Sequence, residues 1–120
     1  DGKAVGWFQG RMEFGPRSLG CRSILGDPSY PGVADRINAQ IKYRERWRPF
    51  CPSMLDKVAE DLLQTDHPAP YMTFTFDVNP AWNDRIPEVV HEDGTARAQV
   101  VTRDTNPRYC CIEHFTQSSW

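Results

Sequence analysis

Long apolar runs are missing from this sequence. No stretch approaches the roughly 20 apolar residues that a membrane-spanning helix requires, and no signal-peptide pattern opens the chain. Paired Cys-x-x-Cys spacing is missing too. Of the four cysteines (Cys21, Cys51, Cys110, Cys111), the last two are adjacent, a spacing that rarely closes a relaxed bridge. With those thiols, His67, His91 and His114 do not make the ligand spacing of a structural zinc site, so no metal site is expected. Reduced thiols and a cytoplasmic setting are the expectation. No Gly-x-x-x-x-Gly-Lys-Ser/Thr loop and no Gly-x-Gly-x-x-Gly fingerprint occurs, so a nucleotide bound here would be held by another architecture. Internal repeats and low-complexity linkers are also absent, and nothing in the sequence pairs a cysteine nucleophile with a histidine base. The chain begins without an initiator Met, which reads as a piece of something longer.

What is present is enough for one folded domain over residues 1–120. Hydrophobic residues make up 39% and aromatics 12%, values that argue against disorder. The charge is unevenly placed. Seven of the eleven arginines fall between Arg11 and Arg48, six of them in two runs: Gly10-Arg11-Met12-Glu13-Phe14-Gly15-Pro16-Arg17-Ser18-Leu19-Gly20-Cys21-Arg22-Ser23, and Ile41-Lys42-Tyr43-Arg44-Glu45-Arg46-Trp47-Arg48-Pro49-Phe50. Residues 11–50 carry eight Lys/Arg against four Asp/Glu, while the whole chain has a net charge of −2. A focused anion site fits this asymmetry better than a generally basic surface. A pI of 5.9 likewise argues against a nucleic-acid binder.

Periodicity sketches an α+β order. Ala4 to Gln9 reads as a buried strand and Ser23 to Leu25 as a second short one. Pro16 suits the first position of a short helical turn, which would set Arg17 and nearby backbone donors at a helix N-terminus. Val33, Ile37 and Ile41 share one face of a helix over roughly Val33 to Tyr43. Ser53 could cap a helix running to about Gln64. Tyr71 to Val78 alternates as a strand with Met72, Phe74 and Phe76 on its buried face. Asn79 to Pro87 reads as a loop, Thr95 to Arg103 as a strand paired within a sheet, and Asn106-Pro107 opens a last helix carrying Tyr109, Ile112 and Phe115.

Within this frame Arg17 and Arg22 either clamp a ligand's oxygens or pair with Glu13 and Asp27 on the surface. Arg44, Arg46 and Arg48 would share a face of an extended segment, either converging on an anion or forming a solvated basic edge. His91, ahead of the Asp93-Gly94 turn, is either a general acid–base or a structural hydrogen-bonding residue.

Taken together, these segments resemble the C-terminal domain of the O-carbamoyltransferases of nodulation-factor, cephamycin and tobramycin biosynthesis. The resemblance rests on Gly10 to Gly20 and Arg22-Ser23-Ile24-Leu25, then on Asp35-Arg36-Ile37-Asn38, Ile41-Lys42-Tyr43-Arg44-Glu45 and Arg48-Pro49-Phe50. It continues through Pro70-Tyr71-Met72, Ile86-Pro87, His91-x-Asp93-Gly94-Thr95-Ala96-Arg97-x-Gln99 and Asn106-Pro107-Arg108. It implies a YrdC-like α+β domain, a mixed twisted sheet with flanking helices, incomplete at its C-terminus because the family continues into a strand and an Asn-Thr-Ser-Phe-Asn motif. The implied chemistry joins ATP and carbamoyl phosphate, with Mg²⁺, into carbamoyl-adenylate. A separate N-terminal transferase domain of the parent chain then passes the carbamoyl group to a substrate hydroxyl. Phosphate-binding candidates are Arg17, Arg22, Ser23, Lys42, Arg44, Arg48 and Arg97; His91 is the catalytic candidate, and Lys42-x-Arg44 with Pro49 echoes a Lys-x-Arg motif of the related synthases. Cys21 stands where the family more often has Asn, and Cys51 where it usually has a small residue such as Ala. Two other readings compete: a non-catalytic nucleotide- or RNA-binding module, and an interaction domain docking its arginines on an acidic partner.

Overall fold

The computed structural model describes residues 2–101. They form a small α+β domain of short strands and helices. Strand β1 (Val5–Phe8) pairs antiparallel with β2 (Arg22–Leu25), setting Val5 opposite Leu25 and Phe8 opposite Arg22. Helix α1 (Val33–Ile37) follows and runs into a π-helical turn over Asn38–Lys42. Strand β3 (Ser53–Leu55) leads directly into helix α2 (Asp56–Leu62). Strand β4 (Thr75–Asp77) pairs antiparallel with β5 (Thr95–Arg97), and β6 (Gln99–Val101) lies parallel to β3 with Gln99 opposite Ser53. In place of one mixed sheet, the described residues hold three two-stranded pieces. The Thr95 strand is broken at Ala98, so its two halves serve two different pieces. The expected last helix, with Cys110, Cys111 and His114, lies outside the described residues. Among the described residues no helix is long and apolar enough to cross a membrane.

The core belongs to the second half of the chain. Met54, Ala59, Leu62, Ile86, Ala96 and Val100 are among its buried members, with Phe50, Val58, Phe76 and Val90 packed on its margin. The first half drapes against it, which accounts for several departures from the periodic reading. β1 is not a buried strand: its residues alternate between half-buried and exposed, and Phe8 is 77% exposed. In α1, Val33 and Ile37 face inward as their spacing predicts, but the wide π turn shifts the face. Asn38 takes the buried position at 0% exposure and Ile41 swings out to 44%. The α1 N-terminus is held from afar, because the Glu88 carboxylate accepts the N–H groups of Gly32 (2.9 Å) and Ala34 (3.0 Å).

Ser53 caps no helix. It is drawn into the parallel pairing with β6, a distant partnership that leaves no local signature, and α2 starts after Leu55. The Tyr71–Val78 strand shortens to three residues because Met72 adopts a left-handed φ of 55°. Phe76 packs on the core, whereas Phe74 lies edge-on to the His67 ring at 4.7 Å. Asn79 to Pro87 contains a 3₁₀ turn over Pro80–Trp82 that buries Trp82.

The segment after β1 also departs from expectation. No helical turn starts at Pro16. Instead the Glu13 carboxylate folds the loop around itself: its Oε1 accepts the backbone N–H groups of Leu19 (2.7 Å), Cys21 (2.7 Å) and Arg22 (3.2 Å). Partial burial pushes this carboxyl up, but the backbone donors outweigh it and bring Glu13 from 4.5 down to about 2. The far end of the loop is tied to the core by Gln99. That side chain is fully buried; its Nε2 donates to the carbonyls of Leu19 and Pro70 (3.1 Å each), and its Oε1 accepts from Ser53 Oγ (2.7 Å).

Gln99→Leu keeps the volume but strands three polar partners, and is expected to cost roughly 2–4 kcal/mol in urea unfolding, against about 1 kcal/mol for Ser53→Ala. For Glu13, a depressed folded pKa means stabilisation that is complete above 4.5 and lost as pH falls toward 2. The stability gap between wild type and Glu13→Gln is therefore expected to be about 1–2 kcal/mol at pH 6 after solvent screening, and to close by pH 2. Chemical denaturation of both proteins across that range checks it, and a gap constant with pH would refute the carboxylate's role.

Candidate anion-binding site

Three arginines from distant parts of the chain act electrostatically on Cys51, the half-buried thiol two residues before β3. Arg17 comes from the Glu13 loop, Arg44 from the segment after the π turn, and Arg97 from the end of β5. Burial pushes the Cys51 thiol up, and the charges of Arg97, Arg17 and Arg44 all pull it the other way without winning. Cys51 thus lies within electrostatic reach of three cations. Two further cations join through Arg44. Burial and then the charge of Arg44 lower Lys42. Burial and then Arg48 lower Arg44, partly countered by Cys51 and Glu45.

This crowd of like charge has little internal neutralisation. Among the described residues the side chains of Arg17, Lys42 and Arg97 make no hydrogen bond or ion pair. Arg48 approaches Glu45 at 3.5 Å. Arg44 is held by neutral groups: its Nε donates to the Asn38 side-chain Oδ1 and its guanidinium lies 4.5 Å from the Phe50 ring centroid. Asn38 Nδ2 in turn donates to the Arg48 carbonyl (3.2 Å), so one buried amide shapes the whole turn from Arg44 to Arg48.

The other predicted residues go elsewhere. Arg22 lies over the Phe8 ring at 3.4 Å and donates to the carbonyls of Gln9 (2.9 Å), Gly10 (3.3 Å) and Cys21 (2.9 Å), fastening the β1–β2 hairpin. Ser23 Oγ accepts the Gly20 N–H at 3.0 Å. The segment from Arg44 to Arg48 is a turn, closed by Arg48 N–H donating to the Glu45 carbonyl, so its three arginines do not share a face. Arg46 leaves the group to pair with Asp35. His91 sits in the β4–β5 turn with Nδ1 3.2 Å from Thr95 Oγ1, and its buried Nε2 has no partner among the described residues.

Three contributors were not foreseen: Cys51 as the meeting point, and Asn38 and Glu13 as supports. A polar residue on the apolar face of α1 and a lone carboxylate inside a glycine-containing basic loop were the available signals. Cys51 also borders an apolar cavity of about 130 Å³, lined in part by Ile24, Val33, Ile37, Phe50 and Met54, to which none of these cations contributes. A group of cations with few carboxylate partners suits an oxyanion.

Comparison with known proteins shows which family the chain resembles. Residues 1–119 match the family described as carbamoyltransferase C-terminus. Nodulation protein NolO of Bradyrhizobium diazoefficiens is 46% identical over 112 residues, covering 91% of this chain and 20% of NolO. Nodulation protein U of Rhizobium tropici is 44% identical over 103 residues, covering 86% of the chain and 18% of that protein. An uncharacterized protein of Methanocaldococcus jannaschii, MJ1058, is 43% identical over 108 residues, covering 90% and 18%. The chain spans about a fifth of the length of these curated relatives. With a match that runs over almost every residue, the chain belongs to the carbamoyltransferase C-terminal family.

Proposed function

We propose that this chain is the part of an O-carbamoyltransferase that gathers the phosphates of ATP and carbamoyl phosphate so that carbamoyl-adenylate can form, within a YrdC-like fold. The observation that carries the reading is that Arg17, Arg44 and Arg97 all act electrostatically on Cys51, with Lys42 and Arg48 within reach of Arg44. Both substrates are polyanions that repel each other, and a preorganised set of cations cancels that repulsion before reaction. Carbamoyl phosphate and one water yield carbamate and phosphate; the carbamate oxygen then attacks the α-phosphorus of ATP, the bond to the β-phosphate oxygen breaks, and pyrophosphate leaves. Mg²⁺ would arrive with ATP, held mainly by phosphate oxygens. Transfer to a substrate hydroxyl falls to a separate N-terminal domain of the parent chain.

Isothermal titration of the 120-residue chain with pyrophosphate, carbamoyl phosphate and Mg-ATP tests this reading. Arg17→Ala, Arg44→Ala and Arg97→Ala are each expected to weaken pyrophosphate binding roughly ten- to a hundredfold, from loss of a charge-assisted contact. If a folded wild-type chain binds none of the three ligands, or if all three variants bind as tightly as wild type, the reading fails. Binding that responds to RNA but not to carbamoyl phosphate or ATP, with a steep salt slope, would favour a nucleic-acid module instead.

A further inference from the structure

Arg17 makes no hydrogen bond or ion pair among the described residues, yet its charge reaches Cys51 alongside those of Arg44 and Arg97. Left to itself, such a side chain would swing away from two like charges. Its backbone must therefore be held. Two residues on, the Leu19 peptide is clamped from both sides: its N–H donates to Glu13 Oε1 at 2.7 Å and its carbonyl accepts from Gln99 Nε2 at 3.1 Å. The same Glu13 oxygen takes the N–H groups of Cys21 and Arg22, closing the segment into a ring with Arg17 on its outer arc. On the near side Gly15, at φ 139°, makes a turn that a side chain would strain, and Pro16 fixes the next φ. Backbone N–H groups in a basic, glycine-containing loop are what an external oxyanion ordinarily recruits. Here an internal carboxylate fills that seat.

We propose that Glu13 is a positioning residue of the anion site: by gathering the Leu19, Cys21 and Arg22 N–H groups it fixes the loop that presents Arg17 beside Arg44 and Arg97. The inference rests on the anion-binding reading above for its functional consequence, though the clamp itself can be measured without a ligand. Glu13 touches no ligand in this scheme. It acts through Arg17, so its effect must vanish when Arg17 is gone.

The test compares wild type, Glu13→Gln, Arg17→Ala and the double variant, by nuclear magnetic resonance and by titration with inorganic pyrophosphate. Glu13→Gln is expected to speed amide exchange at Leu19 and Cys21 about tenfold and to loosen the Arg17 Nε–H signal, as the charged acceptor is lost. It is also expected to weaken pyrophosphate about fivefold to tenfold when Arg17 is present, and less than twofold in the Arg17→Ala background. Equal weakening in both backgrounds would make Glu13 a general structural residue and overturn the proposal. Tighter binding in Glu13→Gln would make the carboxylate a competitor for the ligand and overturn it too. Should wild type bind no pyrophosphate, the anion reading falls by itself; Leu19, Cys21 and Arg17 signals unchanged by the substitution would still refute the clamp, and changed ones uphold it. Glu13→Asp, which keeps the charge but withdraws it by one methylene, serves the same comparison if Glu13→Gln does not fold.

Discussion

A primary amide with no access to water must recover inside the protein every hydrogen bond it gave up. Gln99 does so by reaching three segments at once: Leu19 of the Glu13 loop, Ser53 of β3 and Pro70 of the following loop. Because both amide N–H groups are engaged, moving any one of these segments strands a buried donor, a loss of about 1–3 kcal/mol. Asn38 obeys the same constraint at the other end of the seam, with its oxygen on Arg44 and its nitrogen on the Arg48 carbonyl. These two amides are the polar side chains named among the buried residues, and both hold segments that bear the cations. The apolar core beneath is ordinary for a small domain; the amides decide how the first half of the chain sits upon it.

The same arrangement explains how the cations tolerate one another. Like charges in a partly desolvated site cost free energy, visible here in the lowering of Lys42 and Arg44. That cost is carried by the Asn38 amide, the Phe50 ring and the backbone N–H groups gathered on the Glu13 carboxylate, and hardly by ion pairs to the cations. Where carboxylates do pair with arginines, at Arg46–Asp35 and Arg48–Glu45, they do so on the exposed turn, where such pairs are worth little. A site whose cations are held without carboxylate partners of their own keeps its field available to a ligand. One held by salt bridges would have cancelled it.

Legibility in the sequence followed the range of the interactions. The charge asymmetry and the two arginine runs pointed to an anion site, and five of the seven candidates (Arg17, Lys42, Arg44, Arg48 and Arg97) do lie in one electrostatic neighbourhood. Short alternating segments located β2, β4 and β5, and helical spacing located α1 and most of α2. The failures came where a distant partner overrode a local preference. Ser53 looked like a cap until β6 claimed it, and Ile41 kept a helical period that the π turn had already broken. Glu13 is the instructive case. A lone carboxylate among glycines and arginines reads as a surface partner for those arginines, yet it turned to backbone N–H groups, whose geometry no side-chain pattern reveals.

Under the proposed reading, ligand and fold are coupled through the same residues. The cations are brought together from Arg17, Arg44 and Arg97, eighty positions apart in sequence, so the site exists only when the Gln99 and Asn38 seams are closed. In the empty protein the seams act against electrostatic repulsion. An oxyanion at Cys51 removes that repulsion, so the seams and the ligand reinforce each other and binding raises the stability of the fold by mass action. Reactive polyanions gain from such a design. Substrates are admitted to a place whose geometry was set beforehand by amide and backbone contacts, so little reorganisation remains when charge shifts during reaction.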